Sequence, residues 1–194
     1  MPHRPGMRPL EEQVREALDA GITMLQLREK YLSEEDFLRE ALSIRKLTER
    51  YHVPLIINDS LYVAINSGAD GIHIGQSDLP AREVRAKLGP DKILGVTAKT
   101  VAQALEAEKA GADYLGSGAV FPSPTKTDAI PMSRETLTAI CQSVSIPVVA
   151  IGGINASNLS TLAGTGIAGA AIISGIFGQP DIGAAVRELR ECIH

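Results

Sequence analysis

Three polar residues alternate with other residues near the start of the chain, in the segment Gln26-Leu27-Arg28-Glu29-Lys30. Alternation is the period of a β-strand, so the side chains of Gln26, Arg28 and Lys30 are predicted to project to one side. Two cations on that side suit a polyanionic ligand such as a diphosphate, because buried unpaired charge is costly. A structural ion-pair network with Glu29 or a neighbouring carboxylate is the alternative, and we favour the ligand.

Two carboxylates, Asp59 and Asp78, follow neighbouring apolar runs. They have no His or Cys ligand close by in the sequence, and a carboxylate pair suits a hard cation that prefers oxygen. Mg²⁺ is typically held by one or two carboxylates, with water and a substrate phosphate completing its shell. Both aspartates also precede helical patterns, so capping of a helix N-terminus explains their positions equally well.

Glycines follow the last two apolar runs, as Gly152-Gly153 and Ser174-Gly175. Glycine lets backbone N–H groups approach a phosphate, and the last two strands are the usual place for a phosphate site in a (β/α)₈ fold. Tight turns between strand and helix are the alternative. The segment Ser123-Pro124-Thr125-Lys126 adds two hydroxyls and a cation on the opposite loop, although these are ordinary loop residues.

All of these residues stand at the ends of short apolar runs that alternate with amphipathic stretches. The runs lack clean alternation and several are rich in Ile and Val, which is typical of parallel strands buried on both faces. Functional groups of parallel α/β folds cluster at the carboxyl ends of the strands, so one shared rim is expected. The predicted strands are Thr23–Leu27, Pro54–Ile57, Gly71–Ile74, Ile93–Val96, the segment from Tyr114-Leu115 to Val120, Pro147–Ile151 and Ala170–Ile173.

Helix signals separate the strands and predict a (β/α)₈ TIM barrel as a single domain over residues 1–194. Seven strands are visible, whereas such a barrel has eight. A helix over Leu10–Ala20 follows Met1–Pro9, which contains no apolar run and is expected to be irregular. Either the first strand is missing or the barrel closes imperfectly, and a flavodoxin-like open sheet is the alternative. The predicted helix starts after the first one are Ser33, Pro80, Thr100, Ser133 and Asp181.

Composition narrows the class of protein. The chain has 194 residues, 44% of them apolar and 22% charged, which indicates one globular domain. A net charge of −4 argues against a general nucleic-acid binder. No apolar run is long enough for a membrane span, and Met1–Pro9 does not resemble a signal peptide, so we expect a cytoplasmic protein. Cys141 and Cys192 are expected to be buried thiols.

Nucleophilic catalysis is not predicted. His73 lies inside an apolar run, where a hydrogen-bonded core histidine is a better interpretation than a catalytic one. No His accompanies a Ser or Cys at a strand end, so there is no triad-like arrangement.

Taken in order, these motifs resemble the thiamine phosphate synthase family over residues 10 to about 190. The segments are Gln26-Leu27-Arg28-Glu29-Lys30, Asn58-Asp59, Gly75-Gln76-Ser77-Asp78, Gly95-Val96-Thr97, Phe121-Pro122-Ser123-Pro124-Thr125-Lys126-Thr127-Asp128, Ile151-Gly152-Gly153-Ile154 and Ile173-Ser174. The resemblance implies a Mg²⁺-dependent transferase. It would join 4-amino-5-hydroxymethyl-2-methylpyrimidine diphosphate to 4-methyl-5-(2-phosphoethyl)thiazole, or its carboxylated form, and release pyrophosphate and thiamine phosphate.

The resemblance also implies residue roles. Binding of the pyrimidine diphosphate is expected at Gln26, Leu27, Arg28, Glu29, Lys30, Asn58, Thr97 and Lys126. Binding of the thiazole phosphate is expected at Ser123, Pro124, Thr125, Gly153, Ile173 and Ser174. The residues implied to be catalytic are Arg28, Lys30, Thr97 and Lys126. Asp59 and Asp78 would hold Mg²⁺, the partners are small phosphorylated molecules, and a homodimer is the candidate assembly.

The chain departs from the family pattern in three places. The usual first strand, which ends in Thr-Asp, is absent, Ser123 stands where the family has Thr, and Thr97 stands where Ser is common. Both exchanges keep a hydroxyl. A thiazole tautomerase on the same fold is disfavoured, because its acid/base His would fall at Ala119 and it lacks the two aspartates. Another phosphate-binding isomerase and a non-catalytic phosphate-binding protein are the remaining alternatives.

Overall fold

One parallel sheet of seven strands, in sequential order, forms the centre of the molecule. The computed structural model describes residues 8–122 and 131–192. The strands are β1 (Leu25–Leu27), β2 (Leu55–Asn58), β3 (Gly71–Ile74), β4 (Ile93–Thr97), β5 (Tyr114–Gly118), β6 (Val148–Ile151) and β7 (Gly169–Ala171). All seven predicted strands are confirmed, and the sequential order excludes the flavodoxin-like sheet, whose strands are reordered.

Helices follow the strands, and four predicted caps are confirmed. Ser33, Thr100, Ser133 and Asp181 each accept a hydrogen bond from the backbone N–H three residues later. The helices are α1 (Leu10–Asp19), α2 (Glu34–Arg50), α3 (Leu61–Asn66), α4 (Ala81–Leu88), α5 (Val101–Lys109), α6 (Arg134–Ser143), α7 (Ser174–Phe177) and α8 (Ile182–Glu191). The helical pattern expected after Asp59 corresponds to α3, whereas α7 and a 3₁₀ turn at Leu159–Leu162 were not predicted, because segments this short show no helical period.

The fold is a (β/α)₈ TIM barrel that lacks a strand, as predicted. Within the described ranges α1 is the first element, and no strand pairs β1 with β7. Helices α1 and α8 meet over this seam, where Arg190 donates to the Gly21 carbonyl and Glu16 accepts from the Gly183 N–H. A small apolar cluster at the seam contains Ala17, Ala20, Ile182 and Val186. None of the helices described is long and apolar enough to cross a membrane.

The main apolar core lies between the sheet and the helices. Leu25 and Leu27 of β1 belong to it, as do Leu55 and Ile57 of β2. The residues between them point to the opposite face of the sheet, since side chains alternate along a strand. That opposite face is the barrel interior, and it leads to the carboxyl ends of the strands.

Two similar groups of polar contacts, here called clasps, connect the amino ends of the strands. In each clasp an aspartate binds a strand N–H and an arginine. Asp70, before β3, accepts from the backbone N–H of Leu55 at 2.8 Å and from Arg45 at 3.0 Å. Asp113, before β5, accepts from the backbone N–H of Leu94 at 2.7 Å and also from Arg85. Each clasp ties a strand start to a preceding helix. We infer that this end of the barrel serves stability, since it lies opposite the rim with the predicted site.

Substitution of Asp113 tests whether the amino end of the barrel serves stability. We expect Asp113→Ala to lower the free energy of unfolding by about 2 kcal/mol, because Arg85 and the Leu94 N–H lose a charged acceptor. Denaturant unfolding measures the change. Glu83→Ala is the control, because its exposed pair with Lys87 contributes about 0.5 kcal/mol or less. Equal stability of the two variants would contradict the role of the clasp.

Candidate functional site

Strand register brings the predicted polar residues to one rim. Asn58 pairs with His73, His73 with Gly95, and Thr97 with Gly116. Because all the strands are parallel, the residues that follow them emerge at the same edge of the sheet. The sequence-predicted residues after β1 to β4, β6 and β7 therefore share one end of the barrel.

The carboxyl groups of Asp59 and Asp78 lie within hydrogen-bonding reach of each other. Partial desolvation raises the pKa of Asp59, and so do the neighbouring Asp78 charge and the hydrogen bond between the two carboxyl groups. Asp78 also accepts from the Gly75 N–H at 2.6 Å. Neither aspartate caps a helix, because Ser60 caps α3 and Pro80 stands at the cap position of α4. The capping alternative is therefore wrong for both.

Cations stand beside this carboxylate pair. The charges of Arg28 and Lys30 act on Asp59 and lower its pKa, opposing the effect of Asp78. Arg28 is half-buried and Lys30 is exposed. The rim thus combines two carboxylates and two cations, which is a suitable environment for a phosphate bridged to a metal ion.

The side chains of Gln26, in β1, and Glu29, just after it, have different surroundings. The Gln26 side chain lies on the interior face near Tyr114, whose pKa is raised by burial and lowered to a smaller extent by Gln26. Glu29 instead carries buried carboxylate oxygens near α2, where the burial of Glu40 and, after it, the charge of Glu29 raise the pKa of Glu40 to about 7. Glu29, one of the residues expected around the pyrimidine diphosphate, therefore faces a different neighbour from Gln26. Leu27 is part of the core.

The ends of β2, β3 and β4 add hydrogen-bonding groups to the rim. Asn58 is buried at the end of β2. The Thr97 hydroxyl lies 2.9 Å from Nε2 of His73. Gln76 donates from its side-chain amide to the Thr97 carbonyl at 2.6 Å, which links the loops that follow β3 and β4.

The glycine turn after β6 packs against the chain that leaves β5. Gly152 and Gly153 have φ angles of +91° and +69°, a region that favours glycine. A Cβ atom on Gly153 would lie 2.6 Å from the carbonyl oxygens of Phe121 and Pro122. The side-chain amide of Asn158 donates to the Gly153 carbonyl at 2.9 Å and holds the turn. Glycine is therefore required at position 153.

The end of β7 completes the rim on the other side. Ile173 is 58% exposed, and the exposed Ser174 is the first residue of α7. Gly175 fits closely against the Ile154 carbonyl, 2.7 Å from an added Cβ, so the turns after β6 and β7 are in contact. Four residues expected at the site, Ser123, Pro124, Thr125 and Lys126, lie outside the described residues.

Two interior residues were not among the predicted site residues. His73 is buried and hydrogen-bonded, which confirms its interpretation as a hydrogen-bonded core histidine, and Tyr114 is its partner at 2.9 Å. Both lie on the interior face of the sheet. The sequence contained one indication of this contact, because His73 and Thr97 both occupy strand positions whose side chains face the barrel interior. Their contact depends on β3 lying beside β4, which only a correct strand order reveals.

Among the described residues, no group of three or more His, Cys, Asp or Glu side chains could hold a metal ion. The Asp59–Asp78 pair nevertheless fits Mg²⁺, because two like charges held together gain from a shared cation. Mg²⁺ keeps several waters and takes substrate phosphate oxygens, so two protein carboxylates are a sufficient share of its shell. The chemistry of the donors thus agrees with the expected metal.

Comparison with known proteins gives a consistent family. The family model described as thiamine monophosphate synthase matches residues 2–176. The thiamine-phosphate synthase of Ruminiclostridium cellulolyticum is 53% identical over 182 residues, which cover 94% of this chain and 87% of that protein. The thiamine-phosphate synthase of Clostridium tetani is 50% identical over the same shares of both chains.

Solved structures agree with the sequence matches. Thiamine phosphate pyrophosphorylase from Pyrococcus furiosus superposes with a TM-score of 0.88 and is 40% identical, over 96% of this chain and 90% of that one. A 3-hexulose-6-phosphate synthase superposes with a TM-score of 0.74 at 16% identity, over 94% of this chain and 92% of that one, which shows a shared fold alone. Because the family model and the relatives span most of the chain, it belongs to the thiamine phosphate synthase family, enzymes of thiamine biosynthesis.

Proposed function

We propose that the chain transfers the pyrimidinylmethyl group of 4-amino-5-hydroxymethyl-2-methylpyrimidine diphosphate to the nitrogen of 4-methyl-5-(2-phosphoethyl)thiazole or its carboxylated form. The products are thiamine phosphate and pyrophosphate, together with CO₂ when the carboxylated thiazole is used. One observation carries the proposal: the Asp59–Asp78 pair lies beside Arg28 and Lys30 at a single rim. This arrangement suits a diphosphate with its cation, and membership of the family supplies the reaction.

The diphosphate belongs at the β1–β4 side of the rim. Arg28 and Lys30 would bind its oxygens, joined by Lys126 from the segment outside the described residues. Asn58 and Thr97 would add neutral hydrogen bonds at the ends of β2 and β4. Arginine and lysine neutralise the charge that grows on a leaving phosphate, so binding and catalysis use the same groups.

Asp59 and Asp78 would hold the Mg²⁺ ion. When bound, Mg²⁺ stabilises negative charge on the diphosphate and orients it. The aspartates would offer the ion a defined position, since Asp78 is held by the Gly75 N–H and Asp59 by its backbone bond to the His73 carbonyl. The two loops after β2 and β3 would thus set the position of the metal relative to the sheet.

The proposed reaction is dissociative. The C–O bond to the diphosphate breaks first, with both electrons leaving on the pyrophosphate oxygen, and the electron-rich pyrimidine stabilises the resulting cation. The thiazole nitrogen then forms the C–N bond with its lone pair. No protein nucleophile takes part, so the chain acts by positioning the substrates and stabilising charge.

The thiazole phosphate belongs at the glycine side of the rim. The turn at Gly152-Gly153 and the start of α7 at Ser174 offer backbone N–H groups and a hydroxyl to a phosphate. Ile173 would contact the thiazole, and Ser123, Pro124 and Thr125, which lie outside the described residues, would also bind the thiazole phosphate. The Asn158 side-chain amide holds this turn by donating to the Gly153 carbonyl.

The alternatives lack these features. A thiazole tautomerase needs an acid/base histidine, and Ala119 occupies the matching place in this chain. A non-catalytic phosphate-binding protein would not release pyrophosphate. The cytoplasmic location and the homodimer remain predictions of this proposal.

Product analysis tests the activity. We expect both substrates and Mg²⁺, mixed with the full chain, to give thiamine phosphate by mass spectrometry, with one pyrophosphate per product. EDTA is expected to stop the reaction and added Mg²⁺ to restore it. Pyrophosphate release without thiamine phosphate would overturn the transfer, and unchanged product formation in EDTA would overturn the metal assignment.

Isosteric removal of one charge tests the metal site. We expect Asp59→Asn to lower kcat by about 100-fold at millimolar Mg²⁺, the effect typical of lost metal ligation. Asparagine tolerates the left-handed backbone of residue 59, where φ is +65°, so the fold should be kept. Ser60→Gly, which weakens the neighbouring cap of α3 and leaves both carboxylates in place, is the matched control. Full activity of Asp59→Asn would contradict the site.

Two variants at opposite sides of the rim test its division between substrates. We expect Arg28→Ala to weaken binding of the pyrimidine diphosphate by about 10- to 100-fold, because one charged contact is worth roughly 1.5–3 kcal/mol. Its effect on the thiazole phosphate should be small, and Ser174→Ala should show the reverse preference. Calorimetry measures both ligands, and parallel losses in the two variants would argue against separate subsites.

A further inference from the structure

A continuous chain of hydrogen bonds crosses the barrel interior beneath the rim. It runs from the Tyr114 hydroxyl on β5 to His73 on β3 and then to Thr97 on β4. The Tyr114 oxygen lies 2.9 Å from Nδ1 of His73, and the Thr97 oxygen lies 2.9 Å from Nε2. His73 and Tyr114 are only 6% and 8% exposed. The chain thus ends at a residue expected to touch the diphosphate.

Two glycines make room for the two rings. A Cβ atom on Gly95 would lie 2.2 Å from Cζ of Tyr114, and one on Gly116 would lie 2.9 Å from Cε1 of His73. Neither glycine has a left-handed backbone that would itself require glycine. The space for the rings is therefore a reason for glycine at both positions, and the hydrogen-bonded layer is a packed arrangement.

The chemistry of the groups fixes the direction of the protons. His73 is buried and both of its ring nitrogens face neutral hydroxyl groups, so the ring is neutral and has one N–H and one lone pair. Tyr114 is also buried, and its phenol O–H is more acidic than the aliphatic O–H of Thr97, which makes it the stronger hydrogen-bond donor. Of the two hydroxyls that face the ring, Tyr114 therefore donates its O–H to the lone pair, at Nδ1 of His73.

The remaining assignments follow in order. With Nδ1 accepting, the proton of His73 is on Nε2 and is donated to the Thr97 oxygen. The Thr97 hydroxyl hydrogen must then point away from His73, towards the rim. A hydroxyl that already accepts an N–H bond is also a better donor, since bonds in a chain polarise one another.

We propose that His73 is a positioning residue which, as the Nε2–H tautomer, fixes the Thr97 hydroxyl as a hydrogen-bond donor to the diphosphate of the pyrimidine substrate. This inference rests on the proposed function for the identity of the ligand. The donor faces oxygen atoms whose negative charge grows as the C–O bond breaks, so its preset direction assists departure of pyrophosphate. The opposite tautomer would turn Thr97 into an acceptor, which repels the same oxygens.

The tautomer is measured directly by nitrogen-15 NMR of the imidazole rings in the free protein. We expect His73 to show a protonated Nε2 and an unprotonated Nδ1, with its signals assigned by their loss in His73→Gln. Tyr114→Phe removes the donor to Nδ1 and should let the second tautomer appear. A protonated Nδ1 in the wild-type protein would overturn the inference.

Kinetics test the link to Thr97. We expect Thr97→Val to slow pyrophosphate release by about 100-fold and His73→Asn by roughly tenfold or more. His73→Gln can still donate from the place of Nε2 and should be several times faster than His73→Asn. In the Thr97→Val background, His73→Asn should add less than about twofold, because its effect passes through the missing hydroxyl. Independent, multiplying losses would refute the positioning role.

These experiments distinguish the proposed function from the positioning role of His73. If His73→Asn does not fold, as judged by its melting curve, Tyr114→Phe with and without Thr97→Val provides the same double-mutant test. A wild-type chain that has the Nε2–H tautomer but forms no thiamine phosphate would refute the proposed function alone. A chain that forms thiamine phosphate with the Nδ1–H tautomer would refute the inference alone.

Discussion

Two carboxyl groups held against each other at the rim are the constraint on which the rest of the structure depends. Asp59 and Asp78 come from different loops, and each is fixed through its surroundings: Asp59 by a backbone bond to the His73 carbonyl, Asp78 by the Gly75 N–H. Like charges at this separation repel, so the loops must be held in place by the sheet below them. A cation between the two carboxylates would relieve this repulsion, which supports the proposal of a Mg²⁺ site here.

The barrel interior satisfies a second constraint, that buried polar groups need partners. A purely apolar interior would hold the sheet together equally well. Instead, the layer under the rim contains His73 and Tyr114, and Gly95 and Gly116 leave space for their rings. Hydrogen-bonded polar rings thus occupy interior space that apolar side chains could have filled. This is explained if the hydrogen-bonded layer orients the groups at the rim.

The two ends of the barrel divide stability from chemistry. At the amino ends, Asp70 and Asp113 each bind a strand N–H and an arginine, and neither takes part in the rim. At the carboxyl ends, aspartates lie against each other and glycines adopt left-handed backbones. The seam left by the missing strand is covered by α1 and α8, so the opening between β1 and β7 does not expose the core cluster found there.

Sequence alone determined the seven strands, the capped helices and the polar residues at the strand ends, because these depend on local periodicity and on residues next to one another. It could not decide whether Asp78 caps α4 or faces Asp59, since both roles put an acidic residue before a helix. The structure decided this by bringing together loops that are 19 residues apart in the chain. The partners of His73 are farther still, 24 and 41 residues away, and become neighbours only once the strands are paired in register. Chemistry that depends on such contacts belongs to the tertiary structure, because hydrogen bonds require atoms within about 3 Å and sequence patterns fix only direction along one element.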